Sequence, residues 1–144
     1  MCGFIGAFGP SAFVYKKKII NGLKKINYRG PDSSGIIVSN DKLSVMGHVR
    51  LSIIDLSTLA NQPMVNKFSY LVYNGEIYNH MSIRKILKRR NLSFKTTSDT
   101  ETLINGLEDD DYKFLDNARG MFAGAFYNET KKKFIIFRDT QGIK

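Results

Sequence analysis

The run Cys2-Gly3-Phe4-Ile5-Gly6-Ala7-Phe8, closed by Gly9-Pro10, puts an apolar strand ending in a turn at the very start of the chain. Such a strand gains little by staying in water, so the fold has to take its own N-terminus into the core. Further along, Ile19, Ile20, Leu23 and Ile26 fall at helical spacing with lysines between them, which predicts an amphipathic helix over residues 12 to 26. Residues 35 to 39, 43 to 49 and 68 to 74 read as strands bounded by turn residues. Residues 119 to 127 and 132 to 138 read as a hairpin joined through Asn128-Glu129-Thr130-Lys131. A surface helix is predicted over residues 80 to 90, with Asn79 as N-cap and Met81, Ile83, Ile86 and Leu87 as its apolar residues. Ser98-Asp99-Thr100-Glu101 fits a capping box ahead of a helix whose apolar face is Leu103, Ile104 and Leu107. Strands outnumber helices without a repeating βαβ order, so the pattern argues for an α+β domain with antiparallel sheets. With 144 residues, 42% of them hydrophobic, and neither repeat nor flexible linker, one domain is expected.

A single cysteine can form neither an internal disulfide nor a multi-thiolate zinc site, so Cys2 is there for packing or for reactivity, and no metal site is expected. No apolar run approaches the ~20 residues that span a bilayer, and the N-terminus lacks signal-peptide organisation, so a cytoplasmic protein without membrane contact is expected. The net charge of +9 raises the question of nucleic-acid binding. The cations lie in short runs, Lys16 to Lys18, Lys24-Lys25, Lys88-Arg89-Arg90 and Lys131 to Lys133, with no recognition helix, zinc spacing or RNA-binding aromatics beside them. They read as solvated faces.

Loss of Met1 would leave Cys2 with a free α-amine, whose ordinary pKa of about 7.7 to 8 suits it to accept the thiol proton. Nucleophile and base would then share one residue. An isolated cysteine in an apolar strand is more often a packing residue. What alters that balance is an ordered series of motifs along the whole chain: Met1-Cys2-Gly3-Phe4-Ile5-Gly6, Arg29-Gly30-Pro31-Asp32-Ser33-Ser34-Gly35, Gly47-His48-Val49-Arg50-Leu51-Ser52-Ile53-Ile54-Asp55-Leu56-Ser57, Asn61-Gln62-Pro63-Met64, Tyr73-Asn74-Gly75-Glu76-Ile77-Tyr78-Asn79, Ser98-Asp99-Thr100-Glu101, Gly120-Met121-Phe122-Ala123 and Phe137-Arg138-Asp139. Together they resemble the class II glutamine amidotransferase domain of glutamine-dependent asparagine synthetases, within the N-terminal nucleophile hydrolase superfamily.

That resemblance implies an αββα sandwich, C-terminally incomplete, spanning residues 1 to 144 as a truncated amidotransferase domain. It implies hydrolysis of L-glutamine to glutamate and ammonia through a Cys2 thioester, with catalytic Cys2, Asn74 and Gly75. Arg50 would take the α-carboxylate, Glu76 and Asp99 the α-ammonium, and Asn74 and Gly75 the oxyanion; Leu51 and Ile53 complete the glutamine-binding set. No cofactor is implied for this domain. ATP and Mg2+ belong to an ammonia-accepting synthetase domain absent from this chain, and a homodimer is compatible with the full-length enzyme. His48 is expected to be structural and Arg29 to anchor the site loop. Tyr28 stands where the family often has histidine, and Val49 where it often has a charged residue. Read singly, Asn74-Gly75 is a hairpin-turn dipeptide, Asp99 a first-turn acid and Arg50 a surface cation. Two other functions stay open on the residues alone: a catalytically silent regulatory or glutamine-binding module of the same fold, and a basic nucleic-acid binder.

Overall fold

A computed structural model of the chain describes residues 2 to 144, the side chains of residues 110 to 112 excepted. Strands β1 (Gly3–Phe8), β2 (Ser33–Val38) and β3 (Ser44–Arg50) form one antiparallel sheet in the order β1-β3-β2. Strands β4 (Met64–Asn66), β5 (Ser69–Ile77), β6 (Gly120–Asn128) and β7 (Lys133–Arg138) form a second, in sequence order. The helices are α1 (Lys16–Lys25), α2 (His80–Arg89) and α3 (Asp99–Asp110).

Strand alternation gives each sheet two apolar faces, and three separate clusters fill the gaps. Ile19 and Leu23 of α1 pack on Val45 and Val49 of β3. Met46 meets Tyr70, Val72, Ala125 and Tyr127 between the two sheets. Ile83 and Leu87 of α2 join Leu103, Ile104 and Leu107 of α3 on Leu71, Tyr73, Ile77, Phe122 and Phe126 of the second sheet. The layer order is helix, sheet, sheet, helix, the αββα sandwich that the motifs imply. A chain of this composition reaches it because both sheets are buried on both faces, which needs apolar residues at most strand positions.

Several boundaries differ from the sequence reading. The helix expected over residues 12 to 26 begins as a 3-10 turn, Ala12–Tyr15, before α1. Strand β2 starts at Ser33, two residues before the strand expected from residue 35, and the short β4 lies outside every expected strand. Asn74-Gly75 is no turn: β5 continues through it to Ile77, paired with β6 along its length. Asn79 does stand at the N-cap of α2, but its side chain makes no cap bond. Instead it donates to the Asn117 carbonyl (2.8 Å) and accepts from the Arg119 N–H (2.9 Å).

Helix α2 is also rotated from the expected face. Met81 and Ile86 face solvent, while Arg84 is buried. Burial is tolerable because its guanidinium is matched: Nε donates to Thr102 Oγ1 at 3.0 Å, Nη2 to the Ser98 carbonyl at 2.6 Å, Nη1 to the Thr96 carbonyl, and Phe94 lies beneath it. The capping box forms only in half. Ser98 Oγ accepts the Thr100 N–H (3.1 Å), but Glu101 turns to the N–H groups of Lys95 and Thr96, both at 2.7 Å. Glu101 thus orders the loop leading into α3 rather than the helix terminus itself.

His48 ties the sheets together. It is fully buried on β3, and its Nε2 lies 3.0 Å from the Tyr73 carbonyl of β5, so Nε2 carries the proton and donates. Burial, helped by the Arg50 charge and opposed by that hydrogen bond, lowers its pKa to about 4. An unfolded histidine titrates near about 6.5, so between pH 6.5 and 4 the unfolded chain binds a proton that the folded chain refuses. Stability from this group is complete above about pH 6.5 and is lost as pH falls to about 4, by about 3 kcal/mol in all. Urea unfolding of wild type and His48→Gln at pH 7 and pH 4.5 checks this: the wild type should lose more stability on acidification than the variant. Equal losses would remove His48 as the titrating group.

Candidate active site

The start of β1, the end of β3, the middle of β5 and the first turn of α3 open onto one cavity. Cys2, Arg50, Leu51, Ile53, Asn74, Gly75, Glu76 and Asp99 all line it, so every site residue expected from the sequence meets there. Met1, whose removal the chemistry of a terminal cysteine requires, lies outside the described residues.

Cys2 is half-buried, and its main chain and sulfur are both held. The Leu51 N–H donates to Sγ at 3.3 Å, and Sγ sits 3.6 Å from the Leu51 carbonyl. Arg29 Nε donates to the Cys2 carbonyl at 3.2 Å, so Arg29 anchors the Cys2 backbone rather than the loop it is expected to fix. Leu51 therefore contributes through its main chain. Ile53 is 71% exposed and forms part of the rim.

Arg50 is buried, not a surface cation. Nη1 donates to the Ser57 carbonyl (3.0 Å) and to Asn61 Oδ1 (2.7 Å), and Nη2 donates to the Asp55 carbonyl. A guanidinium has five N–H groups. Those not bonded to described residues are Nε–H and one Nη2–H, two donors left for a carboxylate in the cavity that Arg50 lines. The loop it holds is braced from the other side: Asp55 Oδ2 accepts the Thr97 N–H (2.8 Å) and hydroxyl (3.0 Å), beside Ser98 and Asp99. Ser57, first by its hydroxyl and then by its N–H, together with Thr97 keeps the Asp55 carboxyl well below the usual carboxylate range, so the brace stays anionic.

Asp99 is 4% exposed at the first turn of α3. Its Oδ2 accepts the Tyr73 hydroxyl at 2.8 Å and the Ile77 N–H at 3.0 Å. Glu76, between Gly75 and Ile77 on β5, is half-buried and accepts no hydrogen bond from a described residue. Two carboxylates and one guanidinium thus face a common space, a charge pattern complementary to a free α-amino acid.

The backbone at Gly75 is held in a conformation that excludes other residues. Its φ is +146°, and a Cβ there would lie 2.1 Å from the Met121 carbonyl oxygen, so only glycine fits. Gly75 pairs with Phe122, whose N–H goes to Asp139 Oδ2 (3.1 Å) and whose carbonyl accepts the Asp139 N–H (2.7 Å). Phe122 therefore directs its main-chain groups away from β5, and ladder parity turns the Gly75 N–H to the opposite edge. On that same edge the Tyr73 N–H bonds Gln62 Oε1 (2.7 Å) and the Ile77 N–H bonds Asp99. The Gly75 N–H thus lies between those two matched donors, and Asn74 and Gly75 both line the cavity.

Tyr73, Gln62 and Met121 line the cavity without having been assigned a role from the sequence. Tyr73 and Gln62 lie inside quoted motifs, but only the tertiary packing reveals where their polar atoms go. No group of three or more potential metal ligands occurs among the described residues, and none of their helices is long and apolar enough to cross a membrane.

Comparison with known proteins gives the same direction. Residues 1–144 match the family described as glutamine amidotransferase domain. The chain is 38% identical to asparagine synthetase B [glutamine-hydrolyzing] of Escherichia coli (strain K12), over 99% of this chain and 26% of that protein. It is 35% identical to a putative asparagine synthetase [glutamine-hydrolyzing] 2 of Methanocaldococcus jannaschii, over 100% of this chain and 31% of the relative. The chain thus spans roughly a quarter to a third of the length of these relatives. A solved glutamine phosphoribosylpyrophosphate amidotransferase from B. subtilis, complexed with ADP and GMP, superposes with a TM-score of 0.71 at 22% identity, covering 99% of this chain and 38% of that one. At that identity the likeness is one of fold. Motif order, sandwich, cavity and full-length family match agree, and the chain belongs to the glutamine amidotransferase domain family.

Proposed function

We propose that this chain hydrolyses L-glutamine to L-glutamate and ammonia, with Cys2 as nucleophile. The observation that carries the reading is the meeting, in one cavity, of the held Cys2 thiol, a buried guanidinium with two N–H groups to spare, two carboxylates and the Gly75 main chain. Once Cys2 is the first residue, its α-amine takes the thiol proton and the sulfur attacks the amide carbon. Negative charge builds on the amide oxygen, where the Asn74 amide and the Gly75 N–H receive it. The C–N bond then breaks as the α-ammonium returns its proton to the departing nitrogen, giving ammonia and a Cys2 thioester. Water adds to the thioester, the C–S bond breaks, and glutamate leaves with the thiol restored. Arg50 holds the α-carboxylate, Glu76 and Asp99 hold the α-ammonium, and Leu51 and Ile53 bound the ligand.

In this reading the domain needs no cofactor of its own. The ammonia passes to an ATP- and Mg2+-dependent synthetase module that amidates aspartate, located in the cytoplasm. The names of the relatives support that assignment, as does their additional length. The test is direct: protein whose intact mass shows Cys2 at the terminus should release ammonia and glutamate in equal amounts and, on acid quenching during turnover, carry a glutamyl adduct at Cys2. Correctly processed protein that releases no ammonia and forms no adduct would defeat the reading.

A further inference from the structure

The mechanism above gives Tyr73 no task, yet Tyr73 is one of the most firmly held side chains at the site. Its ring is 2% exposed in the cluster beneath β5 and α3. Its N–H bonds Gln62 Oε1 at 2.7 Å, its carbonyl accepts His48 Nε2 at 3.0 Å, and its hydroxyl donates to Asp99 Oδ2 at 2.8 Å. The Ile77 N–H donates to the same Asp99 oxygen at 3.0 Å. Asp99 Oδ1 accepts no hydrogen bond from a described residue, and Asp99 lines the cavity. One carboxylate oxygen is thus doubly tied and the other is left over.

We propose that Tyr73 is a positioning residue that makes the site selective for a free α-ammonium, by clamping Asp99 Oδ2 so that Oδ1 faces the ligand. This rests on the glutamine-binding reading. The physical reason lies in the Asp side chain, whose terminal torsion is broad and roughly two-fold, so an unclamped carboxylate presents no fixed oxygen. Two donors on Oδ2 remove that freedom. A ligand bearing an ammonium then satisfies the remaining oxygen, whereas a ligand bearing hydrogen there buries that oxygen unpaired, which is penalised. Burial, followed by the Asp99 charge, pushes the Tyr73 hydroxyl far up its titration range, so it stays a donor at any working pH.

The experiment compares L-glutamine with glutaramate, the same skeleton with hydrogen in place of the ammonium. Calorimetry gives the Kd of each for Cys2→Ala protein, which prevents turnover, with and without Tyr73→Phe. The phenylalanine keeps the ring and its packing. The preference for glutamine over glutaramate should shrink on the order of 10-fold, the lower end for losing a hydrogen bond to a charged group. A purely structural tyrosine would weaken both ligands alike, and a preference within twofold of the parent overturns the proposal. If Tyr73→Phe does not fold, Asp99→Asn supplies the second arm. It keeps the shape but loses the charge, and an unchanged preference there overturns the proposal equally. In the double variant, Tyr73→Phe should add no further change to the Asp99→Asn preference, since the tyrosine acts through that carboxylate. Ammonia release is measured separately on protein that retains Cys2. Selective binding without hydrolysis would defeat the functional reading and support this inference, while absence of glutamine binding overturns both.

Discussion

Cys2→Ala should lower ammonia release from L-glutamine by about 10⁴-fold or more, the scale on which loss of a nucleophile abolishes a covalent route. Glutamine binding should change by less than about threefold. The separation follows from the roles proposed above: the thiol is the reacting group, whereas the charged ends of the ligand are assigned to Arg50, Glu76 and Asp99, which line the same cavity. None of these depends on the sulfur, whose hydrogen bonds go to the main chain of Leu51. Cys2→Ser should also be severe, because a hydroxyl is a far weaker nucleophile than a thiol at neutral pH. Both variants permit methionine removal, and intact mass must confirm it before rates are compared. Ammonia release by processed Cys2→Ala within tenfold of wild type would show that another group attacks the amide.

Gly75→Ala should unfold the domain at a temperature roughly 10 °C lower than wild type, corresponding to about 3 kcal/mol or more for an unrelieved steric overlap on strained backbone. The new methyl would lie 2.1 Å from the Met121 carbonyl oxygen and 2.6 Å from Phe122 Cα, both main-chain atoms of the paired strand, at a φ of +146°. Neither atom can move without parting β5 from β6. Any folded remainder should also lose about 10²- to 10³-fold in rate, as for removal of an oxyanion donor. Gly9→Ala is the informative control. Gly9 has a φ of +106° but nothing within 4 Å of the added carbon, so it isolates backbone preference from collision and should cost only about 1 kcal/mol. Equal melting temperatures for the two variants would show that the strands yield freely at Gly75.

The site was legible in the sequence wherever a residue type carries its chemistry with it. A cysteine next to Met1, an arginine after a strand and an acid opening a helix each suggest a role, and their motif order links them. Polar atoms recruited by sheet pairing were not legible. Tyr73 reads as an ordinary aromatic strand residue until the packing of α3 on β5 places its hydroxyl on Asp99. Asn74-Gly75 has the composition of a turn, and local preference points there; pairing with β6 overrides it and keeps both residues in strand. Arg84 misled in the same way. Its charge argues for solvent, and the Thr96 and Ser98 carbonyls, the Thr102 hydroxyl and the Phe94 ring together make burial acceptable. Helix and strand locations followed hydrophobic period well, whereas the caps failed because Asn79 and Glu101 found tertiary partners instead of their own helix ends.

The division of the Arg50 guanidinium has a consequence for how tightly a ligand can be held. A free arginine side chain loses about 2 kcal/mol of rotamer entropy on being fixed. Here the bonds to Asp55, Ser57 and Asn61 fix it when the chain folds. The penalty therefore falls on folding stability and not on association, so an arriving carboxylate meets a receptor already preorganised, with its two spare N–H groups set. The same wiring makes the segment from Asp55 to Asn61 a lever on affinity, since loosening it returns that entropy cost to the binding step even though none of those three donors' partners needs to touch the ligand.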